Sequence, residues 1–395
     1  MKNRRRFLKT VSVMSLLQPA QAARPAAPRD YFKELGVRPI INACGNYTRY
    51  SASLMPKEVL EAMEYASKRY VRLNDLQDAV GARIAALAGS ESAMVTAGAA
   101  SAISLGTTAC MTGKNPDFIH RIPDTTGMKS SVILPKGHRN SYDHAVRACG
   151  AKLVEVETID ELDKAVNSDT AMLAFYNLHE PAGRITSAEL AAAGKRHGIP
   201  SLIDAAADIP PIENLTRFTK MGFDLVCISG GKAINGPQSA GMLLGRRDLI
   251  EAAKLNTSPY SASIHRGMKV NKEEILGMLV ALETFLKRDH AADHKEWLRR
   301  VDVIAAKVKQ VPGVSAELWI PPIASHMPHV KVRWQEASVR RTVKEAIEDL
   351  RAEDPPIEVN LDSKEELILA VWTLQSGEEK ILANRLHAIL KRAAV

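Results

Sequence analysis

Cysteine is scarce in this 395-residue chain, with Cys44, Cys110, Cys149 and Cys227 the only four. So few cysteines, so widely spaced, exclude a disulfide-built scaffold and a cysteine zinc site, and no metal centre is expected. Aromatic residues make up only 5% of the chain and never interleave with a basic stripe, so no nucleic-acid partner is expected. Long apolar runs are missing too. The stretch near the N-terminus, Val11 to Leu17, is too short to span a bilayer as a helix, which argues against stable membrane insertion. No internal repeat is visible.

The formal charge of +8 is concentrated at the start of the chain. The first 22 residues carry five basic side chains (Lys2, Arg4, Arg5, Arg6 and Lys9) and no acidic one, so 48 basic residues face 45 acidic ones in the remainder, a net +3. Arg4-Arg5-Arg6-Phe7-Leu8-Lys9 fits the twin-arginine export pattern, followed by the apolar stretch and by Ala20-Gln21-Ala22, a small-x-small cleavage site. Residues 1–22 are therefore expected to be a cleaved signal peptide that sends a folded protein to the periplasm. The remaining 373 residues suit a segment 23–45, a large domain 46–258, and a linking helix with a small C-terminal domain 259–395.

From Ser92 to Leu244 strand-like and helix-like patterns alternate, which predicts a mainly parallel α/β sheet covered on both faces. Strands are expected over Thr170 to Tyr176, Ser201 to Ile203, Leu225 to Ser229 and Ala240 to Leu244, with helices at Asp160 to Val166 and Ser187 to His197. A helix from Glu273 to Arg288 should lead into a small α/β sandwich with strands His329 to Trp334, Ile357 to Asn360 and Leu367 to Trp372. Ligands in such sheets bind at the C-terminal ends of the strands.

At one of those ends stands Ser229-Gly230-Gly231-Lys232, followed by Asn235-Gly236-Pro237-Gln238-Ser239-Ala240-Gly241. A lysine at the end of a buried strand has a lowered pKa, and its neutral amine condenses with an aldehyde. The glycines let a planar group lie close to the backbone. These conditions suit a lysine that carries pyridoxal 5'-phosphate (PLP). Asp204 closes the preceding strand, 28 residues earlier, and suits the carboxylate that holds a proton on the pyridine nitrogen. Ala97-Gly98-Ala99-Ala100-Ser101 follows the strand-like Ser92 to Val95 and opens a helix whose free N–H groups suit a phosphate, with Ser229 adding a hydroxyl. Each piece alone has a plainer explanation as a loop, a helix cap or helix packing. Their order, phosphate loop then Asp then Lys, favours a shared cofactor site.

The lysine segment resembles that of the bacterial L-seryl-tRNA selenium transferase family, which includes D-glucosaminate-6-phosphate ammonia-lyases. Ile41-Asn42-Ala43-Cys44-Gly45 and Arg266-Gly267-Met268-Lys269-Val270-Asn271-Lys272 resemble two further family segments, and the resemblance runs from about Leu35 onward. It implies a fold-type I PLP-dependent transferase architecture and a homodimer or larger ring. Ala97-Gly98 replaces the family's paired asparagines, Asp204-Ala205-Ala206-Ala207 replaces Asp-Leu-Gly-Ser-Gly, and a targeting segment stands where the transferase carries its tRNA-binding domain. These departures weigh against a tRNA substrate.

Fold-type I enzymes usually stack a side chain from the loop after the next strand on the cofactor ring, and His138 is the candidate; a polar loop histidine is the plain alternative. Asn177, in a segment resembling the family's Lys-Val-His-x-Ser-Asn, is a candidate for the cofactor's 3-hydroxyl or the substrate. Arg139 is a candidate for binding a substrate carboxylate or phosphate; Asn46 and Arg49 could reach the site, their own or a partner subunit's, and Arg266 and Lys269 are candidates for phosphate or substrate binding across a dimer interface, with solvated surface charge the plainer account for the cations. The expected activity is a β-eliminating ammonia lyase or a β-replacement transferase acting on a small amino-acid-like substrate. Transamination and racemisation would use the same residues, and a non-catalytic PLP-fold binding protein is the rival from another class.

Overall fold

The computed structural model describes residues 29–362 and 364–395. The expected signal peptide lies outside the described residues. Two units follow, residues up to Pro39 and Ile40–Val395. In the first, Asp30 caps a five-residue helix, Tyr31–Leu35, by accepting from the Lys33 N–H, and Gly36 ends it in the left-handed conformation.

The second unit holds two sheets. The larger contains β2 (Ser92–Thr96), β3 (Ser131–Pro135), β4 (Lys152–Val156), β5 (Thr170–Tyr176), β6 (Ser201–Asp204), β7 (Leu225–Ser229) and β8 (Gly241–Gly245), in the order β2-β8-β7-β6-β5-β3-β4. Only β8 runs against its neighbours. All seven residues of β5 are buried, because a central parallel strand is covered on both faces. Its residues part accordingly: Leu173 and Phe175 join the core on one side of the sheet, Met172, Ala174 and Tyr176 that on the other. Register brings the ends of β5 and β6 level, with Tyr176 opposite Asp204, while β7 runs two residues past Cys227, the partner of Asp204.

A helix packed against β5, β7 and β8, Gly98–Thr112, is buried along almost its whole length. Small residues permit this; a Cβ on Gly106 would stand 2.4 Å from Leu202 Cδ1. Its buried hydroxyls turn back onto its own carbonyls, as Thr107 does onto Ile103 O at 2.8 Å.

The smaller sheet has the order β1-β11-β12-β10-β9, made of β1 (Ile41–Ala43), β9 (Val314–Trp319), β10 (His329–Trp334), β11 (Ile357–Leu361) and β12 (Leu367–Ala370). Helices His290–Val308, Val343–Ala352 and Glu378–Ala393 supply Val301, Ile304, Leu350, Leu386 and Ile389 to its core. Here the expected domain limits shift. Ile41 and Ala43 are buried in this smaller core, and β1 pairs in parallel with β11, so β1 belongs to the small domain. The expected linking helix, Lys272–Lys287, buries Ile275, Met278, Leu282 and Phe285 in the large domain's core. β4 and β9 were not expected; β4 alternates imperfectly and keeps only Val156 buried, a weak sequence signal.

Candidate active site

The turn that carries Lys232 is fixed by backbone rather than by side chains. Gly230 and Ala240 pair through a 2.9 Å bond, Gly236 N–H donates to Gly230 O at 2.8 Å, and Asn235 N–H donates to Lys232 O at 2.9 Å. A Cβ on Gly230 would stand 2.2 Å from Met278 Sδ, and one on Gly231 would stand 2.7 Å from Gln238 Cα, so both glycines are required by packing. Asn235 adopts φ 59°, a left-handed conformation that asparagine tolerates, and its side chain donates to Leu54 O. Ser53 Oγ donates to Gly231 O at 2.9 Å and Gln238 to Thr48 O, so the chain after β1 lies over the lysine turn.

Burial lowers the pKa of Lys232, and the nearby carboxylates of Asp204 and Asp208 oppose that shift only in part. Burial raises the pKa of Asp204, against the pull of the Ala206 N–H (3.0 Å), the Lys232 ammonium and His179. The two groups push each other toward the charged form while their surroundings push both toward neutrality. Both keep part of their surface open.

Polar atoms without a partner gather at these strand ends. Among the described residues, Ser101 Oγ, His138 Nε2, Tyr176 Oη and Asn177 Oδ1 are buried and make no hydrogen bond. Such atoms are costly to leave unpaired. Ser101 stands in the first turn of Gly98–Thr112, whose N-terminus is opened by Gly98 at φ 79° and has no side-chain cap. A helix start with free N–H groups and a spare hydroxyl matches a phosphate. The donor set therefore fits PLP: Ala97 to Ser101 for the phosphate, Asp204 for the pyridine nitrogen, and Lys232 for the aldehyde carbon. Ser229 closes β7 at the same end, its backbone opposite Gly241.

Three expectations need correction. No atom of His138 is open to solvent: its ring meets Phe175 edge-on at 4.4 Å, and Nδ1 accepts from the Tyr176 N–H at 3.3 Å. A ring so enclosed offers no free face for stacking, and burial lowers its pKa to about 4. His179, partly exposed and 6.3 Å from His138, is the imidazole whose charge Asp204 feels. Arg139 is held by Asp143 at 2.5 Å and by Glu155, so its fork is not free for a substrate. Asn46 is spent between Ala52 O and the Trp372 N–H, each at 3.1 Å, and joins β1's chain to the small domain. Arg49 is exposed and stacks 4.8 Å over Tyr50, while Arg266 and Lys269 are exposed in the loop before Asn271. A cavity of about 700 Å³ opens beside β2, lined by Gln77, Thr96, Tyr260 and Met268, and Lys232 is not on its wall.

Sequence reasoning passed over Asp208, whose carboxylate accepts from Asn177 Nδ2 at 2.7 Å. Its one signal was a second carboxylate four residues after Asp204, which helix-cap or loop roles explain equally well.

A family model described as L-seryl-tRNA selenium transferase matches residues 40–318. A Streptomyces protein called 5'-C-glycyluridine monooxygenase-decarboxylase is 31% identical, over 82% of this chain and 83% of its own. The D-glucosaminate-6-phosphate ammonia lyase of Salmonella typhimurium is 25% identical over 92% of this chain and 98% of its own. A solved structure of a D-glucosaminate-6-phosphate ammonia-lyase superposes with a TM-score of 0.81 at 25% identity, covering 93% of this chain and all of that one. A serine palmitoyltransferase with PLP shares the fold, at a TM-score of 0.57 and 15% identity, over 90% of this chain and 88% of its own.

Proposed function

The chain belongs to the L-seryl-tRNA selenium transferase family, a PLP enzyme of fold type I, and on that premise we propose that it is a β-eliminating ammonia lyase for a small amino-acid-like substrate. PLP, when bound, supplies the electron sink for negative charge at the substrate's α-carbon. Lys232 Nζ, its pKa lowered by burial, takes the α-proton. Asp204, at the end of β6, holds the proton on the ring nitrogen. The uncapped helix start and Ser101 Oγ receive the phosphate. Loss of the β-substituent and of ammonia completes the elimination.

The observation that carries this proposal is the half-buried, pKa-lowered Lys232 in a glycine-built turn after β7, close enough to the carboxylate that ends the adjacent β6 for each to shift the other's pKa. The ammonia lyase among the relatives supports elimination over replacement. The test incubates PLP-loaded protein with D- and L-amino acids and amino sugar acids and follows ammonia. Stoichiometric ammonia with a keto acid is expected. Exchange of the α-proton without ammonia would indicate a racemase, and ammonia only with an added keto acid an aminotransferase. Oxygen uptake with release of carbon dioxide would instead align the chain with the Streptomyces relative.

Two further proposals rest on sequence and family. The protein works as a homodimer or larger homo-oligomer, as fold-type I sites are usually built at subunit interfaces. It is exported through the twin-arginine route by Arg4 and Arg5, so replacing both with lysine should hold a longer precursor in the cytoplasm, and unchanged delivery would refute the route.

A further inference from the structure

Asp208 lies beyond the end of β6 and is 4% exposed, yet it is a carboxylate. Its side chain accepts from Asn177 Nδ2 at 2.7 Å, and its backbone O accepts from Asn214 Nδ2 at 2.6 Å. The backbone of Ala324, in the small-domain loop 320–328, also acts on the carboxylate and favours its ionised form. That loop is held in an unusual shape. Ala324 and Ser325 have φ 55° and 44°, left-handed values that non-glycine residues adopt only under constraint, and Ser325 N–H donates to Ala207 O at 2.7 Å. Asp208 thus joins the end of β5, the stretch after β6 and the small domain.

The Asn177 amide is committed by this contact. Its NH2 is given to Asp208, and its Oδ1 is buried without any donor. A buried carbonyl oxygen without a partner at a ligand site is an acceptor in waiting.

We propose that Asp208 is a positioning residue of this site: ionised, it fixes the Asn177 amide with Oδ1 presented as an acceptor for an N–H or O–H of the bound cofactor or substrate, and it ties that orientation to the docked 320–328 loop. A protonated Asp208 donates instead, so the amide reverses and offers its NH2 to the same ligand atom. The step moves one proton onto a carboxylate oxygen and breaks no other bond. Burial and the Asp204 carboxylate raise the pKa of Asp208 to about 6, against the Asn177 donor, the Ala324 backbone and the Lys232 ammonium, so the two settings exchange near neutral pH. The other charged groups nearby act elsewhere: His179 bears on Asp204, and His326 of the loop turns Nδ1 to Pro321 O at 2.7 Å.

The proposal rests on the PLP site described above. Its test follows the visible absorbance of the PLP-loaded protein from pH 5 to 9 in wild type, Asp208→Asn and Asn177→Leu, with thermal unfolding alongside. The wild-type colour change should have its midpoint near 6, and both variants should bind PLP with that midpoint lost or moved by about one pH unit or more. Asp208→Glu should restore a titration. If Asp208→Asn does not fold, Asn177→Leu decides alone, because it removes the amide that reports the proton. An unchanged midpoint in either folded variant overturns the proposal, as does a wild-type PLP band without a titration. A wild type that shows no PLP band refutes the cofactor site itself, and the proposal with it.

Discussion

Ser101 and Ser104 stand one helical turn apart on the same buried helix, and their surroundings have nothing in common. Ser104 Oγ is 2.7 Å from His265 Nε2 and 3.1 Å from Cys149 Sγ, while His265 Nδ1 contacts Asn256 O at 3.1 Å. That cluster satisfies itself and pins the loop after Thr257 to the helix; Asn256 Oδ1 is its one atom left over. Ser101 Oγ is equally buried and has no partner. A buried hydroxyl without a partner is costly, and a phosphate at this helix start would satisfy Ser101. Asn177 Oδ1 and Tyr176 Oη, at the neighbouring strand ends, are likewise buried without a partner.

The largest expected effect lies on the unsatisfied side. Asp204→Asn should retain PLP and lose turnover on the identified substrate by on the order of a hundredfold or more, since an amide cannot hold the ring proton. Wild-type turnover would remove Asp204 from the site.

Next, the two serines should separate cleanly. Ser104→Ala strands His265 Nε2 and should cost about 1–3 kcal/mol in unfolding of the PLP-free protein, with little change in PLP affinity. Ser101→Ala removes an idle hydroxyl, so stability should hold within about 0.5 kcal/mol while PLP affinity falls about tenfold. Reversed results in calorimetry and PLP titration would break the distinction.

A smaller effect concerns acid. Burial holds His138, His265 and His329 neutral, with pKa values lowered to about 4 from 6.5. A lowered folded pKa means that their contribution is present above 6.5 and lost as the pH falls toward 4. Asp208 has the opposite sign: its pKa is raised, so its contribution is present at low pH and lost as the pH rises through about 6. Asp204, whose pKa burial also raises, acts in the same sense as Asp208, and the three imidazoles set the direction, so Tm should fall between pH 7 and pH 5. Asp208→Asn removes one opposing group, and its Tm should rise at pH 7.5 and fall more steeply on acidification. A flat Tm profile would show that these imidazoles are not held neutral.

Much of this was legible in the sequence because the large domain writes its pattern locally. β5 and β7 are unbroken apolar runs, and the glycines around Lys232 are set by the close approach of Met278 and Gln238. What escaped depends on distant partners. β1 is three residues long, and its membership of the small sheet is decided by Ile357 to Val359. His138 was placed on the right loop, but its enclosure depends on Phe175 and its tautomer on the Tyr176 N–H. Asp208 matters through Asn177 and Ala324, which lie 31 residues before it and in the other domain.

One measurement bears most directly on the central claim that Lys232 carries PLP. Borohydride reduction of the yellow holoprotein, followed by peptide mapping, should place a pyridoxyl group on Lys232, and Lys232→Ala should bind no PLP covalently. A pyridoxyl group on another lysine, or covalent PLP in Lys232→Ala, would contradict it.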